Sequence, residues 1–321
     1  MQATARAQPN IALIKYWGKR DSMQNLPAVD SLSLTLSDLY TEMDVRFDPG
    51  LAADSLQVNG QRDDSLLPRV VRCLDTVAGS DRPAALVRSR CNFPLGAGLA
   101  SSASAFAALV VAAAAASGSD FDTGTLAGLA GKASGSAARS LYPGIVVLKS
   151  GRAAVRVRSV RSPAEWPLCV AVAITDPRQK ATGSGAAMEI SRETSPFYGR
   201  WVDEQPRDLE IALAAVLARD FAALAAISEH NCLKMHSVMW SSRPPLCYWN
   251  AATLRCLETV RALQGDGVQV FFTIDAGPQV KAICTTTSAP AVRQALAETE
   301  GVHDVMVSGL GEGARLTGGP P

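Results

Sequence analysis

The sequence predicts an α+β fold of two lobes, and three observations carry that expectation. Stretches with a two-residue apolar period and stretches with a three- and four-residue period both recur along the 321 residues. Helices and antiparallel strands come in mixed order, not in a regular βαβ succession. With 47% hydrophobic and 19% charged residues, the chain can bury the core of one large domain or of two closely packed ones. The second half begins near Pro163, which gives lobes of residues 1–163 and 164–321.

Taken in order, Asn10 to Ile14 reads as an apolar strand, and Ser31 to Leu36 alternates Ser/Leu/Thr as a half-buried one. Thr41 to Phe47 puts Met43, Val45 and Phe47 on one face, and Ala85 to Phe93 is another candidate strand. An Ala-rich helix follows from Ser101 to Ala116, stopped by Ser117-Gly118. Thr123 to Leu141 is helical in part, but its glycines weaken the pattern. Gly144 to Ser150 and Ala153 to Arg158 form a hairpin across Gly151. In the second half, Leu168 to Ile174 is a buried strand. Leu209, Leu213, Val216, Leu217, Phe221, Leu224 and Ile227 share helical spacing. Leu254 to Leu263 is a further helix, Val268 to Ile274 and Val280 to Thr285 are strands, Ala289 to Thr299 is a helix and Val302 to Val307 a last strand.

Bulk properties exclude several functions. A net charge of +1 without long runs of like charge argues against nucleic acid held by bulk charge. Any bound anion must meet a local cluster of donors. Seven cysteines without a C-x-x-C pair suit a reducing compartment rather than disulfides or zinc. Residues Met1 to Gln8 lack the apolar segment of a signal peptide, and Ala103 to Ala116 is too short for a membrane span. A cytoplasmic protein with no membrane partner is expected. His230, His236 and His303 show no ligand-like grouping, and no G-x-S-x-G elbow supports a hydrolase.

Four segments carry chemistry. In Pro94 to Ala103, Gly96 and Gly98 allow tight turns and close backbone approach, and Ser101 and Ser102 open a long helix. The free N–H groups and positive dipole end of that helix can hold a phosphate, although Ser101 would serve equally as an ordinary N-cap. Lys15 and Lys19, with Tyr16 between, can make an anion site at a strand end; one such lysine alone would more often be a solvated end. In Ser134 to Leu141, small residues expose backbone N–H groups, while Arg139 can grip a carboxylate through two bonds or lie on a helix surface. Asp275, between a strand and Ala276-Gly277-Pro278, is a well-held base or a simple turn residue.

The decapeptide from Pro94 closely resembles the phosphate loop of the GHMP kinases, and the whole chain resembles one branch of them, the diphosphomevalonate decarboxylases. Pro9 to Arg20, Asn92 to Ala108, Ser134 to Leu141 and Thr273 to Pro278 match that branch in its order, with weaker similarity at Glu193 to Phe197 and His236 to Tyr248. The resemblance implies the GHMP kinase fold, with an N-terminal lobe like ribosomal protein S5 domain 2 and a ferredoxin-like C-terminal lobe. It implies ATP with Mg²⁺, a phosphorylated mevalonate as substrate, and a homodimer. Carried over position by position, Asp275, Arg139 and Lys15 are catalytic. Asn10, Tyr16, Lys19, Ser134, Gly135, Ser136 and Ser184 bind substrate together with Arg139. Asn92, Pro94, Gly96, Gly98, Leu99, Ala100, Ser101 and Ser102 hold the nucleotide, Ser102 also reaching its Mg²⁺.

Three departures bear on the substrate. Val29-Asp30-Ser31 replaces Asn-Ser-Ser, the loop begins Pro94-Leu95-Gly96-Ala97 where relatives have Pro-Thr-Ala-Ala, and Gly185 stands where bacterial relatives place an arginine that helps hold a diphosphate. Lys180 or Arg178 is the expected substitute for that arginine. The first expectation is decarboxylation of mevalonate 5-diphosphate. Decarboxylation of mevalonate 5-phosphate comes next, then a GHMP small-molecule kinase without decarboxylation. A catalytically dead nucleotide-binding regulator conflicts with keeping both Asp275 and Arg139.

Overall fold

The computed structural model describes residues 1–93, 101–152, 154–178 and 182–318. The helices among them are α1 (Leu67–Ala78), α2 (Ser101–Ser117), α3 (Thr123–Ala133), α4 (Ser184–Thr194), α5 (Tyr198–Ala218), α6 (Phe221–Trp240), α7 (Ala251–Gly265) and α8 (Ala289–Ala297). Together with three larger sheets and a small hairpin they make an α+β molecule.

The first sheet runs, edge to edge, Arg315–Leu316, Gln2–Ala7, Thr41–Phe47, Ala85–Cys91, Ser55–Val58 and Gln61–Arg62. Its apolar face includes Ala5, Met43, Val45 and Val87, and it packs on α2 with α1 and α3 behind. Helix α2 is buried around most of its circumference, which its alanines permit by letting neighbouring elements approach closely. The second sheet runs Val155–Arg161, Ile145–Ser150, Ser31–Thr35 and Asn10–Ile14. In the third, Val270–Ile274, Val280–Thr285, Leu168–Ile174 and Asp304–Ser308 lie in that order, all antiparallel. Its first strand in the chain lies between the third and the fourth, a ferredoxin-like arrangement.

Most expected elements are present, and the differences have physical causes. Ser31–Thr35 is buried on both faces, not one. Its polar side chains find partners inside: the Ser31 hydroxyl accepts from Arg139, and the Thr35 hydroxyl donates to the Tyr142 carbonyl. The helical spacing from Leu209 to Ile227 spans two helices, because Arg219 turns left-handed at φ 56° and Asp220 caps the next helix on Ala223 N–H. The pattern from Thr123 to Leu141 breaks at Ser134 and resumes as a 3₁₀ turn at Ala137–Leu141. Strand Gln2–Ala7 and helix α4 had no strong sequence signal, whereas α1, with Val70, Cys73, Leu74 and Val77 at helical spacing, was overlooked.

A continuous apolar cluster joins the second and third sheets, with Leu13, Leu34 and Val147 packed among Val170, Leu209, Leu224 and Phe271. This cluster fixes the end of Asn10–Ile14 against the loop after Val270–Ile274, and so sets the geometry of the site.

Candidate active site

Lys15 leaves the strand Asn10–Ile14 inside the protein. Its backbone N–H donates to Asn231 Oδ1 at 2.8 Å, and its carbonyl accepts from Gln205 Nε2 at 3.1 Å. Asn231 in turn donates to Gln205 Oε1 and Asp208 Oδ2, a buried network that fixes the backbone from α5 and α6. The Lys15 side chain is 1% exposed, and its Nζ lies 2.7 Å from Asp275 Oδ1. A second buried ammonium, Lys281 Nζ, stands 3.4 Å from Asp275 Oδ2. Burial alone raises the Asp275 carboxyl, but Lys15 and Lys281 overcome it and hold the group well below the usual carboxylate range. Asp275 is therefore an anion with a low proton affinity.

Arg139 is buried in the 3₁₀ turn. It donates from Nε and Nη2 to Asn10 Oδ1 at 3.1 and 2.9 Å, and from Nη1 to the Ser31 hydroxyl. Asn10 passes the fixation on, donating to Ser136 O at 2.9 Å and Ser140 Oγ at 2.8 Å. Burial pulls the Arg139 guanidinium down to about 10, opposed by Asp275, and it remains a cation at neutral pH. Tyr16 brings its hydroxyl end against Gly135. A Cβ at Gly135 would lie 2.3 Å from its hydroxyl oxygen, so only glycine fits there. Burial pushes the Tyr16 phenol up to about 12, and it stays neutral.

These groups line one cavity of about 1110 Å³. Among the expected residues, Asn10, Lys15, Tyr16, Lys19, Ser101, Ser102, Ser134, Gly135, Ser136, Arg139, Ser184 and Asp275 all face it. Asn92 does not. Its amide is committed to the Tyr40 N–H and the Asp38 carbonyl, and it ties two loops together. Pro94, Gly96, Gly98, Leu99, Ala100 and Lys180 lie outside the described residues. Arg178 does not replace the missing arginine, because it is exposed, pairs with Asp176 at 2.7 Å and lies off the cavity. The Gly185 backbone does face it, and a Cβ there would come within 3.8 Å of Lys19 Nζ. Of the other departures, Asp30 pairs with Lys149 at 3.0 Å and accepts from Ser150 N–H, and neither it nor Val29 reaches the cavity.

Sequence reasoning missed four cations. Arg69 and Arg72 on α1 and Lys132 on α3 line the cavity beside Ser101 and Ser102. Arg69 is held over the Phe106 ring, 4.3 Å from its centroid, while it donates to Ala133 O at 2.9 Å. Lys281 lies behind Asp275. Its signal was available, as an ammonium inside the apolar run Val280-Lys281-Ala282-Ile283. The arginines belong to a helix whose pattern was not recognised.

The arrangement offers two groups of anion-binding side chains on the wall of a cavity that also presents the half-buried Asp275 carboxylate. The helix start at Ser101, with three cations around it, suits a polyphosphate, and Ser102 lines the same wall. The Lys19 end suits a smaller anion. Burial lowers the Lys19 ammonium, and Glu189 opposes the shift.

Comparison with known proteins agrees with this geometry. Residues 7–160 match the diphosphomevalonate decarboxylase-like N-terminal domain, and residues 170–310 match the mevalonate 5-diphosphate decarboxylase C-terminal domain. The diphosphomevalonate decarboxylase of Eremothecium gossypii is 35% identical, the match covering 86% of this chain and 76% of that protein. The mevalonate diphosphate decarboxylase structure from Staphylococcus aureus superposes with a TM-score of 0.93 at 32% identity, over 99% of this chain and 98% of that one. MDDEF, solved in complex with MVAPP, AMPPCP and magnesium, superposes with a TM-score of 0.92 at 32% identity over 99% of both chains. Two matched domains, the shared fold and the cavity they enclose place this chain in the diphosphomevalonate decarboxylase family.

Proposed function

We propose that the protein catalyses the ATP-dependent decarboxylation of mevalonate 5-diphosphate, giving isopentenyl diphosphate, ADP, phosphate and CO₂. The observation that carries this reading is the Asp275 carboxylate, held by two buried lysines at a cavity wall that also presents Arg139. The substrate carboxylate lies toward Arg139 and its phosphate end toward Lys19. The triphosphate lies toward Ser101, Ser102, Arg69, Arg72 and Lys132. The 3-hydroxyl oxygen takes the γ-phosphoryl group, its proton passes to Asp275, and ADP leaves. The C3–O bond then breaks with departure of phosphate. The electron pair of the bond to the carboxyl carbon becomes the new C2–C3 double bond as CO₂ departs.

Asp275 is a weak base in this setting, so it receives the proton late, as the hydroxyl loses its hold on it. That timing fits a loose phosphoryl-transfer transition state, in which positioning and charge stabilisation dominate. Magnesium, when bound with the nucleotide, neutralises phosphate charge, and Ser102, on the cavity wall at the start of α2, would reach it in this reading. MDDEF, with 99% of its chain matched, holds both AMPPCP and magnesium.

The chain divides in this reading into lobes 1–163 and 164–321, with Arg315–Leu316 returning to pair with Gln2–Ala7. It works in the cytoplasm as a homodimer, readings supported by its free cysteines and by its likeness to the family. A second substrate, mevalonate 5-phosphate, is favoured by Gly185, which faces Lys19 Nζ without a side chain to add a second cation there. Asp275→Asn tests the main reading. It should cut turnover by about 10²–10⁴-fold while ATP affinity stays within a few fold. Turnover within threefold of wild type, followed as ADP and CO₂ release, would remove Asp275 from the reaction.

A further inference from the structure

We propose that Lys281 is a positioning residue for the reaction, gripping the rear oxygen of Asp275 so that the carboxylate keeps one orientation toward the substrate hydroxyl. This inference rests on the assignment of Asp275 as proton acceptor. The two lysines have different places. Lys15 lines the cavity and holds Oδ1. Lys281 is fully buried on the strand Val280–Thr285, is absent from the cavity wall, and approaches Oδ2 from within the third sheet. Its Nζ also donates to Gln279 O at 3.2 Å. Gln279 is itself locked, its Oε1 accepting from Thr175 N–H at 2.6 Å. The ammonium thus joins the reactive carboxylate to the rigid centre of a sheet, because Lys281 is in register with both Thr273 and Val172.

Such an ammonium is costly to bury, and the cost is met only by an anion close by. The other charged or titratable groups bearing on Asp275 are few. Lys15 and Arg139 are cations, His236 on α6 is held neutral by burial, and burial keeps the Cys232 thiol protonated. Asp275 is a carboxylate that offsets Lys281, and its removal takes away an anion shared by Lys15 and Lys281.

The test combines turnover with stability. Lys281→Met, similar in length and uncharged, should lower kcat by about tenfold or more through misplacement of the base, with KM for ATP and for the mevalonate phosphate within threefold. Lys281→Arg, which keeps the cation, should recover part of the loss. Asp275→Asn should lower Tm by removing an anion that compensates Lys281, and the double variant Asp275→Asn/Lys281→Met should melt several degrees above Asp275→Asn alone. A Lys281→Met enzyme with kcat within threefold of wild type overturns the proposal, as does a double variant no more stable than Asp275→Asn. Equal losses in Lys281→Met and Lys281→Arg, with both KM values raised, also overturn it in favour of plain packing. Wild-type turnover by Asp275→Asn would instead sink the parent assignment, and the Tm comparison would still decide whether Lys281 grips that carboxylate.

Discussion

At the scale of single residues, the site is a set of charges whose properties come from burial as much as from identity. Gly185 shows this at the phosphate end. It is exposed at the start of α4, and a Cβ there would meet Lys19 Nζ in ordinary contact at 3.8 Å. Gly185→Arg should raise the preference for mevalonate 5-diphosphate over mevalonate 5-phosphate by about tenfold, the worth of one solvent-accessible charge-assisted bond of about 1.5 kcal/mol. The ratio of the two kcat/KM values checks it, and an equal effect on both substrates would mean the position does not meet the terminal phosphate. His236 shows the same dependence on burial. It is fully enclosed, with Nε2 3.2 Å from the Ile274 carbonyl and a tilted contact to Trp249. Burial pushes its imidazole down to about 3 from an ordinary value of 6.5. Between those values the unfolded chain binds a proton that the folded one refuses, so stability falls as pH falls. Urea titrations between about pH 5 and 6.5, above most carboxylate pKa values, should show that loss with a slope of at most about 1.4 kcal/mol per pH unit. His236→Asn should flatten the slope, and an unchanged slope would show that another group causes it.

At the scale of elements, the α5–α6 junction explains a misreading. Apolar residues keep a helical phase from Leu209 to Ile227, and nothing in that pattern shows a break. The break comes from two adjacent polar residues. Arg219 closes α5 in the left-handed region, and Asp220 accepts from Ala223 N–H at 2.9 Å to open α6. Asp220→Ala should therefore cost about 1 kcal/mol of folding stability. Arg219→Gly should be neutral or stabilising by up to about 1 kcal/mol, since glycine adopts that conformation freely. Chemical denaturation of the two variants checks the opposite signs, and a stabilising Asp220→Ala would mean that the cap bond is not made in solution. The junction matters to the site because α5 and α6 supply Gln205, Asp208 and Asn231, which hold the Lys15 backbone.

At the scale of the molecule, each side of residue 163 has an apolar core of its own, one around α2 and one around the third sheet, and a further cluster joining the second and third sheets ties the two together. Leu34 and Val147 come from before it, and Leu209, Leu224 and Phe271 from after it, yet they pack as one. The return of Arg315–Leu316 to the strand Gln2–Ala7 adds a second link between the chain's ends. The whole chain should thus unfold in one cooperative transition, with calorimetric and van't Hoff enthalpies in agreement. Two resolved transitions would show that the lobes fold separately. Leu209→Ala, which opens a cavity in the shared cluster, should cost about 2–5 kcal/mol and lower that single transition as a whole.

The sequence by itself determined the α+β class, most strands and helices, and the segments carrying Lys15, Ser102, Arg139 and Asp275. Local periodicity and short motifs are properties of neighbouring residues, so they survive without a fold. Helix α1 went unassigned although Val70, Cys73, Leu74 and Val77 recur at helical spacing behind Leu67-Pro68, and the cavity cations Arg69 and Arg72 went with it. The same sequence offered no partner for Lys281, whose meaning depends on a carboxylate that only sheet pairing brings close. It made Arg178 a plausible phosphate ligand, and only tertiary structure shows it paired with Asp176 away from the cavity. Charge chemistry in this protein is decided by distance and burial, and both arise when segments more than a hundred residues apart, such as Lys15 and Asp275, meet in space.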